Sequence, residues 1–324
     1  MKAIRATRMG DPSVLQLEDI PQPKPGPGEA LVRVHVAGVN FADNYMRNGA
    51  ARLPIPFPFT PGIEGAGVVE AVGEGVTEVK ADDRVAYATM SIGSYAEYHA
   101  VKVGHLAPLP KELSFEDGAA VILQGLTAHY LLHEFYPVKR GSTVLVHAAA
   151  GGMGLILVQW LKHLGAVAIG TVSTEAKAKI ARQVGADHVI NYATHDFAEE
   201  TKKITGGKGV DYIIDGVGKT TFTKNLDALG HRGWAAIFGM ASGPADPVVP
   251  NSLMTKALTI SGGSLFNFMV TRDEVLRRAR DVFAGVREGW LKLHIDRTLP
   301  LAQAAEAHHL LETRQTVGKL ILKV

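Results

Sequence analysis

The sequence predicts a two-domain α/β protein, in which a β-rich domain accompanies a doubly wound parallel sheet. Residues 1–122 are rich in Gly and Pro and carry short alternating runs, which are typical of a compact β barrel. From about residue 124 to 288, strand-like runs alternate with helical patterns, which indicates a parallel sheet with helices on both faces. The length of 324 residues also suggests two domains. We place one domain at 1–123 plus 289–324 and the other at 124–288.

The elements follow in chain order. The first domain is expected to contain strands at Leu31–Val36, Gly67–Val72, Arg84–Tyr87 and Tyr95–Tyr98. The second is expected to contain strands at Ser142–Val146, Val167–Val172, Asp187–Ile190, Val210–Ile214, Ala235–Phe238 and Leu258–Ile260. An amphipathic helix from Leu301 to Leu311 and a terminal strand at Lys319–Val324 are predicted to return to the first domain.

A nucleotide-binding turn follows the first strand of the second domain. Ala149-x-Gly151-x-x-Gly154 is a variant of the G-x-G-x-x-G fingerprint, with alanine in place of the first glycine. Gly151 would let the backbone approach a pyrophosphate, and Gly154 would let the following helix pack closely on the strand. The helix N-terminus supplies N–H groups for the phosphates. Besides Gly151, the residues expected at the pyrophosphate are Ala150, Gly152 and Met153.

The end of the next strand predicts which dinucleotide binds. A site that prefers NADH places an acidic residue there, on the ribose 2′-hydroxyl. Here Ser173 stands at that position and Lys177 follows one helical turn later, which suits a 2′-phosphate and favours NADPH. Glu175 is the nearest acid and weakens this preference. The alternative is a capped helix start, with Ser173 or Thr174 as the cap and Lys177 on a solvated face.

Composition excludes several classes of function. The net charge of +2 comes from interspersed acids and bases, so no footprint for nucleic acid or an acidic membrane appears. No apolar run approaches the length of a membrane span, and the N-terminus carries no apolar signal core. The chain contains no cysteine, which excludes disulfides and thiolate ligands. The cytoplasm is the expected compartment, because an NADPH enzyme finds its cofactor there.

Motifs along the whole chain resemble those of a known family. They are Gly38–Tyr45, Pro61–Gly67, Lys80–Val85, Gln124–Ala128, His147–Gly154, Asn191–Tyr192 and Thr205–Gly209. Their order and spacing are similar to those of the medium-chain dehydrogenase/reductase superfamily, and within it of the zinc-free quinone oxidoreductases related to zeta-crystallin. The resemblance implies a GroES-like catalytic domain and a Rossmann cofactor domain.

The same resemblance predicts that no metal assists the chemistry. Zinc-dependent relatives carry a cysteine in the segment aligned with residues 40–43 and a histidine at the position of Ile63. They also carry a further cysteine ligand downstream and a four-cysteine structural lobe. Catalytic zinc needs about three converging ligands. The histidines do not cluster at ligand spacing, and His308 and His309 would point apart on a helix.

By resemblance, residues 40–45 face the nicotinamide and are the candidate catalytic segment. Asn40 would hydrogen-bond the acceptor or the ribose, Tyr45 would donate a hydrogen bond or proton to the acceptor oxygen, and Asp43 would orient either of them. The alternatives are structural: Asn40 hydrogen-bonds nearby backbone groups, Tyr45 only lines the wall of the cleft, and Asp43 caps a helix.

Further cofactor contacts are implied by the family. Thr127, in the chain's crossing between domains, would contact the nicotinamide side. Tyr192 resembles the residue beside the adenosine phosphate, where it would complete a 2′-phosphate pocket with Ser173 and Lys177. Lys319 would reach the cofactor, or would be a surface lysine of the last strand.

The nicotinamide half has its own expected lining. Phe238, Gly239 and Ser242 follow a late strand, where glycine lets the chain come close. Leu265 and Phe266 would close over the nicotinamide ribose. Relatives carry a longer loop with Arg and Pro there, so the shape of the acceptor pocket is an open point.

The expected function is an NADPH-dependent, zinc-independent quinone oxidoreductase. Three alternatives stay open: an enone or alkenal reductase, which needs a proton donor such as Tyr45; a non-catalytic NADPH-binding protein; and an alcohol dehydrogenase, which the missing ligands disfavour. The partner is a small-molecule quinone or enone. A homodimer is also expected, because residues 257–264 read as a late edge strand that a second copy could pair about a twofold axis.

Overall fold

The computed structural model describes residues 1–51 and 53–324. Its strands, in chain order, are β1 (Lys2–Ala6), β2 (Leu15–Asp19), β3 (Glu29–Val39), β4 (Glu64–Val72), β5 (Arg84–Ala88), β6 (Tyr98–Lys102), β7 (Leu106–Pro108), β8 (Thr143–Val146), β9 (Val167–Val172), β10 (His188–Asn191), β11 (Val210–Asp215), β12 (Leu229–Ile237), β13 (Thr259–Gly262), β14 (Ile295–Pro300) and β15 (Lys319–Lys323). The α-helices are α1 (Phe41–Arg47), α2 (Phe115–Tyr130), α3 (Gly152–His163), α4 (Glu175–Gln183), α5 (Phe197–Ile204), α6 (Phe222–Ala228), α7 (Arg272–Arg287) and α8 (Ala304–Glu312).

The described residues form two compact units. The first comprises Met1–Leu126, Phe268–Arg287 and Leu293–Val324, and the second comprises Thr127–Asn267 and Glu288–Lys292. This division departs from the predicted one chiefly at α7, which sequence reasoning assigned to the parallel-sheet domain. The reason is local, because Arg272 at the start of α7 donates hydrogen bonds to the carbonyls of Val103 and Leu106 in the first unit.

The first unit is built around the long strand β3. One side of β3 pairs antiparallel with β4, while the other side pairs with β6 over its first half and with β15 over its second half. The sheet continues from β4 through β5 to β7. The apolar side chains of Val34, Leu310 and Leu320 meet in one core, so the C-terminal strand returns to this unit as the sequence predicts.

Sequence reasoning placed one strand of the first unit wrongly, and it missed strands β2, β7 and β14. The segment predicted as a strand at Tyr95–Tyr98 bends at Tyr95 and Glu97, and the ladder of β6 begins only at Tyr98. The Tyr95 backbone instead makes separate bonds, donating to the Pro61 carbonyl at 3.0 Å and accepting from the Ile4 N–H at 2.8 Å. Strand β14 was not predicted, because it lies at the sheet edge, its side chains are half-buried or exposed, and its sequence shows no apolar alternation.

The second unit is a six-stranded parallel sheet in the order β10-β9-β8-β11-β12-β13. This is the doubly wound order in which the first and fourth strands lie side by side at the switch point, here β8 and β11. Leu145, Ile169 and Ile213 are fully buried and belong to its core. The predicted strands are confirmed with shifted ends. The largest shift is in β12, which begins at Leu229 because Leu229 already pairs with Val210 of β11.

Membrane insertion by a helix finds no support in the structure. Across residues 1–51 and 53–324, no helix is both long enough and apolar enough to span a bilayer.

Candidate active site

The nucleotide-binding turn lies at the carboxyl end of β8, at the switch point of the parallel sheet. Ala148 adopts φ of 52°, a left-handed conformation, and Gly151 caps α3. A Cβ on Gly154 would stand 2.3 Å from the Ala148 carbonyl oxygen, so this close approach requires glycine, as the sequence predicts. A Cβ on Gly151 would meet only that same oxygen, at 3.3 Å. The space beside Gly151 is therefore open for a ligand.

Helix α3 begins directly after this opening. Gly152, Met153 and Gly154 form its first turn, where backbone N–H groups have no partner within a helix. Ala150 is buried behind them, with 2% of its surface exposed. Such N–H groups at the positive end of a helix dipole bind phosphate. The turn thus offers a dinucleotide pyrophosphate both hydrogen-bond donors and free space.

The carboxyl ends of β9 and β10 bring two predicted adenosine contacts together. The Tyr192 N–H donates to the carbonyl of Val172 at 3.0 Å, so that Tyr192 and Ser173 lie at neighbouring strand ends. The Tyr192 side chain is 41% exposed. Thr174 caps α4 by accepting from the Lys177 N–H at 3.2 Å. The cap is therefore Thr174, and Ser173 is not needed for it.

The ends of β11 and β12 bring three further predicted residues together. A Cβ on Gly239 would lie 2.7 Å from the Gly216 carbonyl, and the Phe238 ring packs against Gly216. The Ser242 hydroxyl donates to the Val217 carbonyl at 2.8 Å, which ties the two loops.

The other predicted residues of the second unit vary in burial. Thr127, in α2, is 6% exposed and Leu265 is 5% exposed, whereas Phe266 beside it is half-buried.

In the first unit, Asn40 is bound by a buried ion pair that sequence reasoning missed. Its Nδ2 donates to Oε2 of Glu64 at 2.8 Å, and its Oδ1 accepts from Nζ of Lys319 at 2.7 Å. The Lys319 ammonium also lies 2.6 Å from Glu64 Oε2, and the Leu123 N–H donates to Oε1. Lys319 is thus buried rather than on the surface. Because the ammonium only donates and the carboxylate only accepts, these contacts determine which way the Asn40 amide points.

Asp43 connects this group to a second buried network. Its Oδ2 accepts from the Asn40 backbone N–H at 2.8 Å, at the start of α1, and from the Tyr95 hydroxyl at 3.2 Å. Oδ1 has no hydrogen-bond partner among the described residues. Burial raises the pKa of Asp43 to about 7, against the opposing effects of the Asn40 N–H and the Lys319 charge. Asp43 therefore titrates near neutral pH and orients Asn40 through the backbone.

The network continues from Tyr95 through α8. The Tyr95 hydroxyl lies 3.2 Å from Nε2 of His308, whose Nδ1 lies 3.2 Å from Arg47, and Arg47 pairs with Glu312. Burial, with the Arg47 charge, lowers the pKa of His308 to about 3. His308 is buried and His309 exposed, so the two point apart as predicted.

Tyr45 lies in the same helix α1 as Asp43. Its ring is half-buried, with its centroid 6.1 Å from that of Phe41. The partly exposed position leaves room for contact with a substrate, and it is equally consistent with a ring that only lines the wall of the site.

A third buried network lies behind the nucleotide-binding turn and was also missed. It consists of Thr171, His147, Asn225, Asp215 and Thr221, joined by hydrogen bonds of 2.7–2.9 Å. The sequence signal for it is weak, because Thr171 and Asp215 read as ordinary polar strand ends and Asn225 reads as an ordinary polar residue of a helix.

Metal coordination has no cluster to support it in the part of the chain that the structure describes. No three His, Asp or Glu side chains come together there as a metal site would need.

Family models match both units. A model described as an alcohol dehydrogenase GroES-like domain matches residues 26–111, and one described as a zinc-binding dehydrogenase matches residues 152–281. The combination defines a dehydrogenase/reductase built from a GroES-like domain and a Rossmann-type domain. The predicted fold class is therefore confirmed.

Individual relatives refine this class. A 2-haloacrylate reductase from Burkholderia is 43% identical over 97% of this chain and 96% of its own. A quinone oxidoreductase from Pseudomonas aeruginosa is 41% identical over 99% of both chains. The structure of Escherichia coli quinone oxidoreductase complexed with NADPH superposes with a TM-score of 0.97, at 39% identity and over 100% of both chains. The chain belongs to the quinone oxidoreductases of the medium-chain dehydrogenase/reductase superfamily, as the motifs predict.

Proposed function

We propose that this chain is an NADPH-dependent oxidoreductase that transfers reducing equivalents to a quinone without zinc. The observation that carries the proposal is the turn from Ala148 to Gly154, with its open side at Gly151 and the first-turn N–H groups of α3. The relatives support it, since a quinone oxidoreductase similar over the whole chain is complexed with NADPH.

The preference for NADPH over NADH rests on the ends of β9 and β10. Ser173, Lys177 and the exposed ring of Tyr192 offer a hydroxyl, a cation and an aromatic face to a 2′-phosphate and its adenine. No acidic residue occupies the strand end, although Glu175 is close in sequence.

In the first unit, Asn40 is the group best prepared to meet an oxygen atom. One hydrogen of its Nδ2 is given to Glu64, and the second remains for the acceptor or the ribose. Bound NADPH supplies the hydride. Tyr45 is the proposed donor of a hydrogen bond or proton to the acceptor oxygen, and Asp43 keeps the start of α1 in place.

Reduction of an activated C=C bond is the second candidate function. It is favoured by the 43% identity to a 2-haloacrylate reductase. An enone also presents a carbonyl oxygen to the Asn40 amide, but it requires a proton at carbon, which makes Tyr45 more important. A non-catalytic NADPH-binding protein and an alcohol dehydrogenase remain as weaker alternatives.

Zinc independence is proposed from the ligand types. The sequence contains no cysteine, and Ile63, at the position of a ligand histidine in zinc enzymes, is 1% exposed. An apolar side chain there supplies no donor atom. A homodimer through β13 and a cytoplasmic location remain expectations of the same proposal.

The deciding experiment follows NADPH oxidation at 340 nm with a panel of quinones, enones and 2-haloacrylate. Turnover with quinones supports the main proposal. Turnover confined to unsaturated carbonyl or carboxylate acceptors supports C=C reduction. Tight NADPH binding without turnover of any acceptor favours the non-catalytic protein. Asn40→Ala serves as the site control and should lower kcat/KM about 10-fold or more through the loss of one hydrogen bond to the reacting oxygen.

A further inference from the structure

The nucleotide-binding turn is held from both sides by the strands next to it. The His147 N–H donates to the Ile214 carbonyl of β11 at 3.1 Å, and the Ala149 N–H donates to the Thr171 carbonyl of β9 at 3.0 Å. Ala148 lies between them with φ of 52°, a conformation that costs an alanine about 1–2 kcal/mol. The surrounding contacts must therefore stabilise this turn.

The side chain of His147 makes the second set of contacts at the same place. Its Nδ1 lies 2.9 Å from the Thr171 hydroxyl, and its Nε2 lies 2.7 Å from Oδ1 of Asn225. Asn225 Nδ2 in turn donates to Oδ2 of Asp215 at 2.7 Å. The imidazole is 5% exposed, and Thr171, Asn225 and Asp215 are fully buried. The ring thus links Thr171 in β9 to Asn225 in α6, which in turn bonds Asp215 at the end of β11.

The donor and the acceptor of each hydrogen bond in this network can be assigned. Asp215 also accepts from the Thr221 hydroxyl, so its carboxylate acts as an acceptor. Asn225 must then present its oxygen to His147, so His147 donates from Nε2, and in the neutral imidazole Nδ1 accepts from the Thr171 hydroxyl. Burial lowers the pKa of His147, which agrees with this neutral form. A single arrangement of hydrogens therefore accounts for every hydrogen bond of this network.

We infer that His147 is a positioning residue for NADPH: through Thr171 and Asn225 it holds the turn at Ala148 so that the first-turn N–H groups of α3 face the pyrophosphate. The inference rests on the proposed binding of NADPH. Removing the link leaves the fold of the sheet in place but lets the turn relax away from its left-handed conformation. The phosphate donors then lose their alignment.

The test compares two threonine variants of the second unit. Thr171→Val removes only the hydroxyl that faces His147. Thr201→Val is the matched control, because Thr201 is equally buried and its hydroxyl bonds the Phe197 carbonyl within α5. His147→Leu removes both side-chain bonds, and His147→Gln restores a donor for Asn225. Each variant is assayed by thermal unfolding without ligand and by fluorescence titration with NADPH, NADH and adenosine 2′-phosphate, which lacks the pyrophosphate.

Thr171→Val should weaken NADPH and NADH equally, by about 5-fold, and His147→Leu by about 20-fold, as expected for a lost hydrogen bond and for orphaned buried partners. Adenosine 2′-phosphate should bind each variant within 2-fold of the wild type, and His147→Gln should fall between wild type and His147→Leu. Thr171→Val should add nothing to His147→Leu, since the two residues act as one link.

Several results would overturn the inference. They are a lowered melting temperature with unchanged Kd for NADPH, an equal loss for adenosine 2′-phosphate, or the same loss in Thr201→Val. If His147→Leu does not fold, the two threonine variants still decide. Failure of the wild type to bind NADPH would instead refute the proposed function, so the two outcomes are distinguishable.

Discussion

The buried pair of Lys319 and Glu64 predicts a large and specific loss of stability in Lys319→Met. The two side chains are 3% and 0% exposed, and their charged atoms lie 2.6 Å apart. At an effective dielectric constant of about 20, this separation corresponds to an attraction of roughly 6 kcal/mol, most of which offsets the desolvation of the two ions. Removing the ammonium leaves the carboxylate, among the described residues, with only the Asn40 amide and the Leu123 N–H as donors. We expect a loss of about 3–5 kcal/mol.

The assay must report on the first unit. The three tryptophans, Trp160, Trp234 and Trp290, all lie in the second unit, so their fluorescence is a poor probe here. Amide hydrogen exchange of β15 and β3, which pair with each other, measures the loss directly.

Lys319→Met/Glu64→Gln is the control, because it removes both charges and keeps an acceptor for the Leu123 N–H. It should be more stable than Lys319→Met alone. A loss below about 1 kcal/mol in Lys319→Met, or a double variant no more stable than the single, would refute the mutual compensation of the two charges. The same variants test the predicted cofactor contact of Lys319 through their Kd for NADPH.

Three further predictions concern other parts of the molecule. Because burial raises the pKa of Asp43 from 3.8 to about 7, the native state keeps a proton that the unfolded chain releases. Wild-type stability should fall as the pH rises from about 4 to 7. Over that range the free energy of unfolding of Asp43→Asn should increase by up to roughly 4 kcal/mol relative to that of the wild type, as measured by urea titrations. Lys177→Ala should weaken NADPH about 10- to 100-fold and leave NADH nearly unchanged in binding titrations, and equal losses would speak against the 2′-phosphate contact. The protein should sediment as a dimer at micromolar concentration, and Ile260→Pro in β13 should dissociate it; a wild-type monomer would end this prediction.

Local patterns predicted most of the second unit and its turn. Gly154 could be predicted, because in a strand-to-helix turn of this kind the residue three positions after Gly151 lies too close to the preceding backbone for any side chain. The left-handed conformation of Ala148 could not, since alanine carries no preference for it and the flanking strands impose it.

Long-range pairing of polar side chains was beyond sequence reasoning. Lys319 and Glu64 are 255 positions apart, and a lysine that opens a terminal strand ordinarily reads as a surface residue. His147 and Asn225 are 78 positions apart and meet because α6, which holds Asn225, follows β11, the neighbour of β8 in the sheet. In both cases the topology of a sheet, rather than the local pattern, determines the partner.

The zinc-free oxidoreductase proposal is tested most directly by turnover after exhaustive chelation. Purified protein is treated with a strong chelator, its metal content is measured by elemental analysis, and NADPH oxidation is followed with 1,4-benzoquinone. We predict undiminished oxidation at a zinc content far below one per chain, because the chain has no cysteine and Ile63 offers no ligand atom. About one zinc per chain, with activity lost on its removal and restored on its return, would contradict the proposal.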